Sequence, residues 1–115
     1  MAMKARHRQA FDLAMARARE LRAAGDRAGA FAQLQRAHVL GQRFVGPHVR
    51  VHAAMLSLAL HQGEIGAARG QLVRIVLGAM GSAVGRVPTG NTGGSDISMF
   101  AELPIDPELE ELMRE

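Results

Sequence analysis

Apolar residues recur at steps of three and four through four successive segments, and Gly25, Gly46-Pro47 and Gly63 stop the first three in turn. That step is the period of an α-helix with one apolar face, so the chain is expected to fold as packed helices. The first helix is expected over residues 4–24, with Phe11, Ala14, Met15, Ala18 and Leu21 inward. The second should run from 26 to about 44, with Phe31, Leu34, Ala37, His38 and Val45 near one face. Asp26 can cap it, its carboxylate accepting a free backbone N–H. The third is expected over 47–62, with Val49, His52, Ala53, Leu56 and Leu60 inward, and Pro47 in its first turn. The fourth should run over 64–80, with Ile65, Ala68, Leu72, Ile75, Val76 and Ala79 inward.

An internal repeat organises these segments at an offset of 38 residues. Gly25-Asp26 matches Gly63-Glu64, and Gln33-Leu34-x-Arg36 matches Gln71-Leu72-x-Arg74. Each unit reads as helix, Gly-acid turn, helix, the pattern of antiparallel helical hairpins with tetratricopeptide-like packing. Two hairpins are few for a solenoid, so self-association or a covering tail is expected. After Met80 the period is lost, and six of residues 81–94 are Gly or Pro. Asp106-Pro107-Glu108 then starts a short last helix, about 107–114. The expected organisation is therefore a helical-hairpin body over 1–86, with a Gly-rich loop and acidic tail over 87–115 packed on it. Phe100, Leu103 and Ile105 are expected to pin a strand-like stretch onto the helices.

The charges are segregated. Residues 1–95 carry +9 and residues 96–115 carry −6, for a net +3. Docking of the acidic end on the basic helices, of the same or a neighbouring subunit, follows as an expectation. With no Tyr or Trp and four Phe, the chain lacks the aromatic faces of a base-stacking platform, which argues against nucleic acid as partner. The absence of Cys excludes disulfides, thiolate metal sites and cysteine nucleophiles. No apolar run reaches the roughly 20 residues of a membrane span, and no secretory signal is recognisable, so a cytoplasmic location is expected.

One constellation carries possible chemistry. His38, His48 and His52 cluster around the turn between the second and third helices. His48 and His52 are four apart and share a helix face, and an antiparallel hairpin brings His38 level with His52. Three imidazoles so placed can ligate one divalent ion, with water as a fourth ligand. Zn, Cu, Ni and Fe all accept imidazole, so ligand type does not choose among them. Gln42 and Gln35 are candidates to hold a ring N–H or bound water from behind the ligands. The repeat equivalents of His38 and His52 are Val76 and Ala14, so the hairpin frame does not itself require histidine there. The same rings on apolar faces would also serve as core histidines bonded to a carbonyl or carboxylate. His7 and His61 have no partners at useful spacing and are expected on the surface. Gly90-Asn91-Thr92-Gly93 is either an anion-binding nest or a turn docking the tail. No serine or carboxylate pair fits a catalytic template and no general base is identifiable, which points away from an enzyme. The alternative to metal binding is a non-catalytic helical-hairpin module that binds a protein partner or pairs as a homodimer.

The words RAHVLGQ (residues 36–42), PHVRVH (47–52), GQLVRI (70–75) and VPTGNTGGSD (87–96) resemble a family of short uncharacterised bacterial proteins, a domain of unknown function. The resemblance covers roughly 26–107. It implies an all-helical, intracellular bacterial protein and no nameable activity. Members of that family often carry Glu where this chain has Gln35, which would make the E-x-x-H half of a di-iron carboxylate site. Gln35 is a neutral, poorer ligand, which leaves a mononuclear three-His site as the sharper expectation.

Overall fold

A computed structural model describes residues 3–114, which form five helices and no strand. They are α1 (Ala5–Ala23), α2 (Arg27–Gly41), α3 (Val45–His61), α4 (Ile65–Ala83) and α5 (Pro107–Met113). α1 packs on α2, α2 on α3 and α3 on α4, and α5 lies against α1 and α2.

Glycine in the left-handed region closes three of them. Gly25, Gly63 and Gly85 have φ of 82°, 73° and 74°. At each, the next residue's N–H returns to a carbonyl five residues back: Asp26 to Leu21, Glu64 to Ala59, Arg86 to Gly81. This closure satisfies carbonyls that the helix end would otherwise leave unpaired. Asp26 caps α2 by accepting the Gly29 N–H at 2.8 Å. Glu64, one methylene longer, makes no such cap on α4 and instead pairs with Arg27 at 2.8 Å.

Two helix boundaries differ from expectation. α2 ends at Gly41 rather than near 44, and Gly46-Pro47 lies inside the first turn of α3, not between the helices. A proline there costs nothing, because first-turn N–H groups have no partner within the helix. Gly41 is needed where Phe11 and Pro47 converge: a Cβ on it would stand 2.7 Å from Phe11 and 3.0 Å from Pro47. α4 continues past Met80 to Ala83, because the stop that closes it is Gly85.

The core fills the space between α1, α2 and α3 around Phe11, with Ala14, Leu34, Ala37, Leu40, Val51 and Met55, and Leu109 from α5. The buried face of α3 is His48, Val51, His52, Met55, Leu58 and Ala59, while Ala53 and Leu60 face out. It is rotated from the expected stripe because α2 and α4 pack on α3 from two directions. On α4 the expected stripe holds only in part: Ala68 is buried and Ile75 and Ala79 are half-buried, but Ile65, Leu72 and Val76 are exposed. Gln71 and Ser82 are buried with Ala68. The side of α4 that meets α3 carries its small and polar residues, and nothing among the described residues covers the apolar side.

The tail docks through Leu109 and an Arg36–Glu108 ion pair at 2.6 Å. Asp106 caps α5 by accepting the Glu108 N–H, and Pro107 opens it. Phe100 does not pin the preceding segment: it is 76% exposed, and that segment forms no strand. Ile105 does pack against the core and Leu103 is half-buried, and polar bonds hold the rest. The Asn91 amide donates to the Ser98 and Ala101 carbonyls, and the Arg74 guanidinium donates to the carbonyls of Gly93, Gly94 and Ile97.

Candidate metal centre

His38 stands in the last turn of α2, His48 in the first turn of α3, and His52 one turn further along α3. All three are buried. Their Nε2 atoms form a nearly equilateral triangle. The edges are 3.0 Å from His38 to His48, 3.0 Å from His38 to His52, and 3.1 Å from His48 to His52. Sequence spacing placed the three at one hairpin, and the fold aims the same nitrogen of each at one point.

The opposite nitrogen of every ring meets an acceptor. His38 Nδ1–H donates to the Asn91 carbonyl at 2.6 Å. His52 Nδ1–H donates to Gln71 Oε1 at 2.6 Å, and the Gln71 amide nitrogen donates to the Gly93 carbonyl, which orients the amide. His48 Nδ1 lies 2.6 Å from Ser82 Oγ, whose own hydrogen goes to the Gln42 carbonyl. The Ser82 oxygen must therefore accept from His48. With Nδ1 protonated in all three neutral rings, each Nε2 carries a lone pair. Three lone pairs about 3 Å apart repel one another unless a cation lies between them.

The rings are held neutral. Burial, reinforced by the neighbouring His52 and His48, lowers the pKa of His38 to about 3. Burial, with His52, lowers that of His48 to about 4. Burial also lowers that of His52, against the bond to Gln71. A proton is thus a poor occupant for the triangle, and a metal ion that takes neutral imidazole is a good one. The size agrees. The corners lie about 1.8 Å from the centre. An ion at a Zn–N length of roughly 2.0–2.1 Å sits about 1 Å above the nitrogen plane, as on one face of a tetrahedron.

Two glycines let the backbone reach the rings. A Cβ on Gly78 would lie 2.8 Å from His48 Cε1. Gly93 has φ of 81°, and a Cβ there would overlap the His38 ring. The Gly90–Gly93 turn therefore serves the histidines. Asn91 supplies the carbonyl for His38 and closes the turn by accepting the Gly93 N–H at 2.8 Å. Gly90, at φ of 79°, lets the Leu103 carbonyl approach, and Thr92 is half-buried.

The groups expected behind the ligands are only partly those found there. Gln42 lines the site and its carbonyl takes the Ser82 hydroxyl, but its side chain touches no ring nitrogen. Gln35 is half-buried and does not line the site. Gln71, Ser82 and Asn91 hold the rings. Gln71 was visible as the repeat of Gln33; Ser82 lay beyond the expected end of its helix and gave no sequence signal. His61 is exposed, as expected. His7 is not on the surface: it is buried, bonded to the Leu40 carbonyl and edge-on to Phe44, because the turn after α2 folds back over α1.

Among the described residues no helix is long and apolar enough to cross a membrane. The chain belongs to a family described as protein of unknown function (DUF3703), whose model matches residues 5–113. Among curated proteins and solved structures, none matches it.

Proposed function

We propose that this member of the DUF3703 family binds a single divalent transition-metal ion through Nε2 of His38, His48 and His52. The observation that carries the reading is the convergence of three lone pairs whose opposite nitrogens are all committed to acceptors. Such an array is unfavourable empty and favourable around a cation. The nitrogen-only donor set suits Zn, Cu, Ni or Fe(II). Two hairpins stacked in tetratricopeptide fashion supply the rigid frame, and holding or handling the ion is the role this site supports.

Titration of tag-free protein with zinc, followed by calorimetry and thermal melting, tests the reading. One ion per chain is expected. At a free concentration about 100 times Kd, stability should rise by about 2.7 kcal/mol. Ala at His38, His48 or His52 should abolish the rise, whereas His61→Ala should not. No stoichiometric binding of zinc, copper, nickel or ferrous iron would refute it.

A second reading concerns the partner. Leu72, Val76, Met80 and Val84 repeat every four residues along α4 and are 53–70% exposed. An apolar stripe at that spacing favours pairing with a second copy of this chain. Sedimentation velocity should show a dimer that Val76→Glu dissociates; a monomer at all concentrations would exclude it.

A further inference from the structure

The metal-binding reading leaves one coordination position to be filled, and the surroundings say with what. The triad faces a cavity of about 110 Å³, enough to admit small ligands of water size. No Asp or Glu lines it; Arg74 and Arg86 do, among apolar side chains that include Leu77, Met99 and Phe100. Three neutral imidazoles leave the full double charge of the ion uncompensated, and Arg86 adds to it, whereas Arg74 is partly balanced by Asp96. In a small, largely apolar space, such a charge is balanced by an anion. One residue that lines this cavity, Gln42, carries an orphaned polar group. Gln42 is 1% exposed, and its Oε1 is buried with no hydrogen-bond partner. A buried amide in that state costs stability unless something enters to pair with it.

We propose that the ion's fourth position opens onto this cavity and takes a small exchangeable ligand, water or a compact anion, which Gln42 orients by hydrogen bonding. The inference rests on the metal-binding reading and goes further, since a three-His ion could instead be closed by a protein group. Met99, which lines the cavity, carries a thioether that could do so. Gln42 is a positioning residue. Its carbonyl oxygen can take a hydrogen from a bound water, and its amide N–H₂ can donate to a bound anion after the amide turns over. Arg86, exposed at the cavity, raises the local anion concentration without touching the ion.

Cobalt(II) is the probe, because its visible bands report geometry and ligand exchange. The protein is loaded with cobalt, binding is confirmed by calorimetry, and sodium azide is titrated in. Saturable change in the visible bands is expected. Gln42→Leu should weaken azide binding about tenfold while cobalt affinity stays within threefold, and Arg86→Ala should weaken it two- to fivefold. Bound cobalt whose bands do not respond to azide would overturn this inference and leave the metal site standing, with the fourth position closed. Failure to bind cobalt or any other divalent ion would overturn both. An unchanged azide affinity in Gln42→Leu would remove Gln42 from the role.

Discussion

Gln33 and Gln71 hold the same place in the two halves of the 38-residue repeat, yet their amides have opposite fates. Gln71 accepts from His52 and donates to the Gly93 carbonyl. Gln33 is half-buried, and its Oε1 is buried without a partner. Around Gln33, the first hairpin closes on Phe11, Ala14 and Leu34, an apolar core in which packing alone does the work. Around Gln71, the second hairpin and the end of α2 close on three imidazoles, a serine and two loop carbonyls. One frame therefore supports two interiors. The apolar one gains by excluding water; the polar one is held by a hydrogen bond from Nδ1 of every ring.

The difference between the halves sets the expected size of each change. The largest effect should come from Gly93→Ala. It combines a left-handed φ with a Cβ that overlaps the His38 ring, and should cost about 2–5 kcal/mol and most metal affinity. Gly25→Ala, at a turn open to solvent, bears the φ penalty alone, about 1–2 kcal/mol. Equal urea midpoints for the two variants would show that the loop does not press on the site.

Acid should next distinguish the interiors. The unfolded histidines protonate below about 6.5, whereas folded His48 and His38 resist until about 4 and about 3. The unfolded chain then binds more protons, so the metal-free protein loses stability as pH falls from about 6.5 towards 3. Each ring contributes up to about 1.4 kcal/mol per pH unit. Urea unfolding in the presence of a chelator, repeated across that range, should show the loss. The double variant His38→Leu/His52→Leu should flatten it.

Gln71→Leu should follow, lowering zinc affinity 10- to 100-fold by stripping His52 Nδ1–H of its acceptor. Gln33→Leu should be smallest, within about 1 kcal/mol of neutral and without effect on zinc, because no bond is lost there. If the two Leu variants behave alike in zinc competition, the halves are not the distinct interiors described.

What was legible in the chain was local. The turn residues Gly25, Gly63 and Asp106-Pro107 marked real helix ends, since a left-handed φ or a missing N–H depends only on nearby backbone. His48 and His52 could be placed together because four residues make about one helical turn. The buried side of α4 was not legible: its period is genuine, but period alone cannot say which side meets a neighbour. Leu72 and Val76 mark an amphipathic stripe that turns outward, while Gln71 and Ser82 turn in.

The sequence by itself determined the helices, their glycine stops and the gathering of three histidines at one hairpin, because each of these follows from spacing along a few turns of backbone. Only the tertiary structure decided that the three histidines turn the same nitrogen toward one point. The acceptors that set their tautomers come from 53 residues away at Asn91, 34 at Ser82 and 19 at Gln71. A ring nitrogen becomes a metal ligand only when the other nitrogen is committed elsewhere, and that commitment is made by neighbours that folding, not chain order, brings to hand.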